Sequence, residues 1–453
     1  MPTLFQINVT ANWGSTGRIA EDIGQLAMAK GWESHIAYGR YVNESKSLLY
    51  HIGTKKSIYG HWFQTRLFDR HGLASKQATQ QLIAYIERIK PDIIHLHNIH
   101  GYFLNYPILF NYLSQIDIPV VWTLHDCWTF TGHCAHYTYA KCKRWKTECY
   151  NCPQKKSYPA SFLFDHSKKN FIDKKHWFTS LRNLTLVPVS KWLEGELRLS
   201  FLKDFPIETI HNGVDLKVFK PSSMQKEVFG LSDKFVILGV ASVWNFRKGL
   251  ADFVRLRKLL PDSYTVILIG LNKKQIKRLP SGVIGISRTN NVQELVDYYS
   301  LADVFVNLTW EDTFPTTNLE ALACGTPIIT YQTGGSVEAV NHDTGHIVEQ
   351  GNMEGLVATL SEIRTKGKGY YTEACRKSAV TQFGKLAAYE KYLSLYQRLI
   401  NMKLCVSFGS AAYMPNTSLR KSSTGAKFGL MALPSYMLSL SLPSTFNGED
   451  LCK

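Results

Sequence analysis

The chain has 453 residues, 45% of them hydrophobic and 12% aromatic, which is enough for two domains with separate cores and excludes a disordered chain. Its formal charge of +16 implies attraction to anions: nucleic acid, lipid head groups or phosphorylated ligands. The start, MPTLFQINV, lacks the charged lead and apolar core of a signal peptide. No run approaches the roughly 18 apolar residues of a membrane span. The expected place is therefore cytoplasmic, at most peripheral at the inner face of a membrane.

In chain order, residues 4–9 predict a buried strand, and NVTANWGSTGRIAEDI predicts a tight turn into a helix from about Arg18. Gly14 and Gly17 let a ligand approach the backbone there, with Ser15 and Arg18 beside them, although the spacing is not G-x-G-x-x-G. A tight βα turn is the plain alternative. Residues 35–38, 91–97 and 118–124 are short, apolar and bounded by turn residues. His95, His97 and His100 gather at the end of one run, and His125 and Asp126 end the next, where a parallel sheet presents its ligands.

A long loop follows, 127–152, with Cys134, Cys142, Cys149 and Cys152, the last two as C-x2-C. A reducing compartment disfavours disulfides, and four thiolates suit tetrahedral zinc; thiols packing a loop are the alternative. Lysines crowd this region, among them Lys168, Lys169, Lys174 and Lys175. They predict contact with an anionic membrane or a pyrophosphate-linked acceptor, against a merely solvated face. A strand at 184–189, a helix at 191–199 and the turn-rich HNGVD (211–215) lead to the best linker in the chain.

Beyond it the pattern restarts with runs at 235–243, 264–269, 283–286, 303–308 and 327–330. The expected fold is α/β, with two doubly wound Rossmann-like domains at 1–218 and 219–400, a closing helix at 379–400 and an irregular tail at 401–453. VASVWNFRKGL places Arg247 and Lys248 just before a helix, where fixed cations stabilise a departing diphosphate. The stretch 311–335, EDTFPTTNLEALACGTPIITYQTGG, sets Glu311 and Asp312 before a helix whose first turn contains Pro315. The backbone N–H groups of Thr316, Thr317 and Asn318 are read as pointing outward to a diphosphate, with Glu320 one turn on, placed for a ribose diol.

This stretch resembles the nucleotide-sugar site of glycosyltransferase family 4, in which two acids with seven residues between them flank such a helix start. Asp312 and Glu320 have that spacing; either Asp312 replaces the family's usual Glu, or Glu311 serves from one residue away. TLHDCWTFTGHC is similar to the family's catalytic His region and implies that His125 contacts the donor sugar. The resemblance implies the GT-B fold and a retaining, metal-independent transfer from a nucleotide-sugar donor to a carbohydrate acceptor, with a lipid-linked intermediate of surface polysaccharide as the expected acceptor. It implies contact with donor phosphate or acceptor for Gly14, Ser15, Gly17 and Arg18 as well. No cofactor is then required for catalysis, and zinc would be structural. A nucleotide-sugar epimerase or phosphorylase of the same architecture, and a basic nucleic-acid-binding protein, are the competing readings; the chain shows no aromatic-basic repeat or recognition-helix motif for the latter.

Overall fold

The computed structural model describes residues 1–411, with side chains through Lys403. Within 1–397, which form one compact unit, two six-stranded sheets carry the architecture. The first comprises β1 (Thr3–Asn8), β2 (Glu33–Tyr38), β3 (Leu48–His51), β4 (Ile93–Leu96), β5 (Val120–Leu124) and β6 (Leu184–Pro188). The second comprises β7 (Phe235–Val240), β8 (Tyr264–Ile269), β9 (Val283–Ile286), β10 (Val304–Asn307), β11 (Ile328–Tyr331) and β12 (Gly345–Val348).

Every pairing is parallel. The orders are β3-β2-β1-β4-β5-β6 and β12-β11-β10-β7-β8-β9. Counted from its own first strand, each sheet is the doubly wound Rossmann order, so the strand order reverses at β1/β4 and at β7/β10. Central strands are buried on both faces and read as continuous apolar runs; TVILI and VVWTL are fully covered. Of the edge strands, β3 is largely open to solvent and β9 is partly covered.

Helices depart from expectation in three places. The first runs Gly14–Ala29, so Gly14 and Gly17 lie in its opening turn rather than in a loop before Arg18. A Cβ on Gly17 would stand 2.6 Å from Thr10 Oγ1, which explains glycine there. The expected closing helix is two helices, Gly369–Gln382 and Lys385–Ala411. Between them Phe383 O accepts from Val214 N and Lys385 N donates to Val214 O, so the linker pins the break. The second of these helices continues through 411, where an irregular tail was expected. The rest of that tail, 412–453, lies outside the described residues.

That second helix packs against the first sheet: Tyr396 Oη lies 2.6 Å from His95 Nδ1, and Tyr392 Oη accepts from Thr123 Oγ1 at 3.1 Å. Lys385 bridges Asp22 at 3.0 Å and Asp215 at 2.8 Å. Among the described residues no helix is long and apolar enough to cross a membrane.

Candidate active site

The loops at the two reversal points meet across a cleft. From the second sheet, the turn after β7 forms a short 3-10 helix, Phe246–Lys248, with Asn245 Oδ1 accepting from Lys248 N at 3.2 Å. Arg247 O in turn accepts from Trp310 N at 2.7 Å, which fastens this turn to the loop after β10. Lys248 Nζ then reaches Asp312 Oδ2 at 2.5 Å. Burial raises the Asp312 carboxyl, but the charges of Lys248, His136 and Arg247 outweigh it and hold it below the usual carboxylate range.

Glu311 takes a different place from the one expected of a sugar ligand. It is buried, and its Oε1 accepts from Tyr139 N at 2.8 Å while Arg247 Nε stands 3.8 Å from Oε2. Neither Arg247 Nε nor Glu311 Oε2 has a hydrogen-bond partner. Burial pushes the Glu311 carboxyl up, opposed by Tyr139 N–H and Arg247. Glu311 therefore docks the Cys-rich loop onto the second sheet, and Asp312 is the acid paired with Lys248. Tyr139 also packs on Phe246 and Trp310, with ring centroids 5.0 and 5.7 Å away.

The helix after β10 spans Thr316–Ala323, with Pro315 just before it rather than in its first turn. No side chain caps its start, and Thr316 and Thr317 N–H find no partner among the described residues. Asn318 does not share that role: its N–H donates to Pro315 O, and its buried side chain joins Asn307 at 2.8 Å and Ser336 O at 3.0 Å. Glu320 is half-buried and accepts from Tyr299 Oη at 2.9 Å. Burial lifts its pKa to about 7, against the Tyr299 hydrogen bond and the charge of Arg18. Arg18, in the first helix of the chain, is thus brought from the other side of the cleft to the second sheet's acid. Gly14 and Ser15, exposed in the same uncapped turn, lie beside it in sequence.

From the first sheet comes His125, half-buried, whose backbone O accepts from Thr313 Oγ1 at 2.6 Å. Its Nε2 lies 3.3 Å from His97 Nδ1, and His97 Nε2 lies 3.0 Å from Gln6 Oε1. Gln6 Nε2 donates to Ala20 O at 2.8 Å, so its Oε1 is the accepting end and His97 Nε2 carries the hydrogen. Burial drives His97 well below its usual pKa and keeps it neutral, so its Nδ1 is an acceptor and His125 Nε2 is the donor. His125, lowered by burial to about 4, is neutral too. Its Nδ1, with no hydrogen bond among the described residues, is left as a lone-pair acceptor. Asp126 pairs with His100 Nε2 at 2.8 Å, and His100 Nδ1 meets Tyr158 Oη at 3.0 Å.

His136 belongs to this site and went unread in the sequence. Burial lowers its pKa to about 4, and it feels Arg247, Asp126, Asp312 and Lys248 together, which places it between the two halves. Its only signal was position, two residues after Cys134 in the Cys-rich loop.

Cys134, Cys142, Cys149 and Cys152 do converge, lining one pocket with His133 and Arg144. Gly132 N donates to Cys149 Sγ at 3.2 Å. Among the described residues, however, no group of three or more His, Cys, Asp or Glu is arranged to hold a metal ion. Lys174 departs from its expected surface role: it is buried, donates to Trp128 O at 2.6 Å and Thr131 O at 3.0 Å, and sits 3.6 Å above the Trp128 ring.

Two Rossmann sheets whose switch points face one cleft, with cations and an open helix start on the second, define the GT-B class of glycosyltransferases. A glycosyltransferase family 4 model matches residues 16–218, and a glycosyl transferases group 1 model matches 234–365. Together these cover most of the chain, which belongs to the family-4 glycosyltransferases and is a transferase. WcaC of Escherichia coli K12, a glycosyl transferase assigned to colanic acid biosynthesis, is 24% identical over 87% of this chain and 100% of its own length. The N,N'-diacetylbacillosaminyl-diphospho-undecaprenol alpha-1,3-N-acetylgalactosaminyltransferase of Campylobacter jejuni is 27% identical over 42% of this chain and 53% of its own. Among solved structures, sucrose-phosphate synthase of Thermosynechococcus elongatus superposes with a TM-score of 0.66 at 16% identity, covering 89% of this chain and 100% of that one. Anabaena HepE in complex with UDP follows at 0.62 and 14%, covering 88% and 100%.

Proposed function

We propose that this glycosyltransferase moves a sugar, with retention, from a nucleotide diphosphate donor to a lipid-linked intermediate of surface polysaccharide. The observation that carries the reading is the convergence of Arg247, Lys248, Asp312 and the uncapped Thr316–Ala323 helix at one point of the cleft. The diphosphate sits on the Thr316 and Thr317 N–H groups and against the two cations, and Glu320 receives the ribose hydroxyls. As the bond from the sugar's anomeric carbon to the phosphate oxygen breaks, charge grows on that oxygen, and Arg247 and Lys248 stabilise it more in the transition state than before. The acceptor hydroxyl adds on the same face and passes its proton to the departing phosphate. His125 Nδ1 accepts a hydroxyl hydrogen of the transferred sugar, and Asp312 and His136 flank it. The cations supply the charge that a divalent metal supplies elsewhere, so the chemistry is read as metal-independent.

The lipid-linked acceptor is favoured by the diphospho-undecaprenol in the name of the Campylobacter relative and by the polysaccharide role of WcaC. Incubating the full chain with a panel of radiolabelled nucleotide sugars and bacterial lipid extract tests the reading: label should move from one donor into the lipid phase with the anomeric configuration kept. Inversion, or hydrolysis with no acceptor product, would overturn it. A structural zinc on Cys134, Cys142, Cys149 and Cys152 rests on their sharing one pocket. Metal analysis of purified protein decides it: about one zinc per chain supports it, and metal-free, fully active protein removes it.

A further inference from the structure

We propose that the helix Lys55–Phe68 and the loop at 162–164 form one docking surface for an anionic lipid bilayer. The helix is inside out for a surface helix of a water-soluble domain. Its buried residues are polar, His61 and Thr65, whereas Tyr59, Trp62 and Phe63 point to solvent, 71%, 41% and 55% exposed. Positions 59, 62, 63 and 66 fall on one helical stripe, the spacing that normally faces a core. Among the described residues no protein covers the stripe.

The neighbouring loop extends the same face. Phe162 N donates to Arg66 O at 2.7 Å and Phe164 N to Leu67 O at 3.3 Å, and Phe68 stacks on Phe164 with centroids 5.7 Å apart. Phe162, Leu163 and Phe164 are 57%, 62% and 48% exposed. The Arg66 guanidinium lies over both Trp62 and Phe162, joining helix and loop. Seven large apolar side chains therefore share one surface, more than the scattered exposure normal for a soluble protein.

Charge selects the occupant. Neither KKSIYGHWFQTRLF nor PQKKSYPASFLF contains an acid. Lys55, Lys56 and Lys156 are exposed, and Lys155 Nζ reaches Leu163 O at 3.3 Å. Aromatic rings flanked by Lys and Arg match the interface of a bilayer with anionic head groups, rings at head-group depth and cations against phosphate. The same loop runs back to the site: Tyr158, four residues before Phe162, meets His100, which holds Asp126. A lipid-linked pyrophosphate entering beside this face would thus arrive near His100 and Asp126. That last link rests on the proposed function; the surface itself does not.

The test is co-sedimentation of the full chain with vesicles of phosphatidylcholine alone and of phosphatidylcholine with phosphatidylglycerol. The chain should bind the anionic vesicles and leave them partly as salt rises. Trp62→Ser with Phe63→Ser and Leu163→Ser should weaken anionic vesicle binding about tenfold or more, as expected for withdrawing buried rings. Lys55→Gln with Lys56→Gln should remove chiefly the salt-sensitive part. Turnover of donor with a detergent-dispersed acceptor should be unchanged in both variants. Equal vesicle binding by wild type and the serine variant, or no binding by wild type, overturns the proposal. So does a self-associated wild type that the serine variant turns monomeric without loss of vesicle binding, since the face would then serve a second copy. If vesicles bind as described but no acceptor is glycosylated, the bilayer surface stands and the proposed reaction falls.

Discussion

Glu320 carries the sharpest residue-scale consequence. In the free enzyme burial lifts its pKa to about 7, so below neutrality it is protonated and accepts ribose hydroxyls poorly. Donor capture, kcat/KM for the nucleotide sugar, should therefore rise as pH goes from about 6 to about 8, and Glu320→Gln should flatten that rise. Glu320→Ala should reduce kcat/KM by about a hundredfold, the worth of two hydrogen bonds to a charged group. It should also cost about 1 kcal/mol of stability, since Tyr299 Oη loses its partner. A flat wild-type profile would remove Glu320 from the site. Lys248→Ala should lower kcat about a hundredfold with less change in KM, because its charge matters most as the diphosphate leaves. The tautomer of His125 is open to direct reading: two-bond 1H–15N spectra should show Nε2 protonated and Nδ1 bare, and Gln6→Met should mix the two forms. A single Nδ1–H form in wild type contradicts the Gln6–His97–His125 order.

Among the elements, the turn at 334–335 shows how tightly the site's loop is held. Gly334 has φ +48°, and a Cβ there would lie 1.8 Å from Asp312 O; one on Gly335 would lie 2.0 Å from Thr313 O. Gly334→Ala should cost roughly 1–3 kcal/mol and displace Asp312, measured as a lower Tm with reduced transfer. An unchanged Tm would mean the turn yields freely. The helix Ser167–Phe178 gives a second contrast. Lys174→Gln should lower Tm by several degrees, since two buried carbonyls lose their donor, whereas Lys168→Gln and Lys175→Gln on the exposed side should not.

The elements also show what the sequence made legible. Central strands were readable because both faces are buried and the runs are short and apolar, so β8 matches its expected span, and the edge strand β9 matches its own through the apolar run VIGI. The edge strands β3 and β12 went unread, since LLYH is mostly exposed and GHIV half so, and neither differs from a loop in pattern. The cations, the helix start, Glu320 and His125 were legible because each lies on the turn or helix that follows a strand's carboxyl end. His136, the docking role of Glu311 and the outward aromatic stripe at 59–63 were not. Glu311 meets Tyr139 across 172 positions of sequence, and whether an apolar helical stripe faces a core or solvent is decided only by its neighbours.

For the molecule as a whole, the two sheets are tied by specific contacts, among them Thr313 to His125, Glu311 to Tyr139, Glu338 to Lys191 and Trp192, and the crossing helix through Tyr392 and Tyr396. These bring residues from 18 to 320 into one cleft, and the central claim is that this cleft transfers a sugar. The measurement that tests it most directly is transfer of radiolabel from a nucleotide-sugar panel to lipid extract, run in parallel on wild type, Glu320→Ala and Lys248→Ala with folding checked by Tm. The account predicts lipid-phase label from one donor in wild type and its near-complete loss in both variants. Undiminished transfer by either folded variant, or no transfer by wild type from any donor, would contradict it.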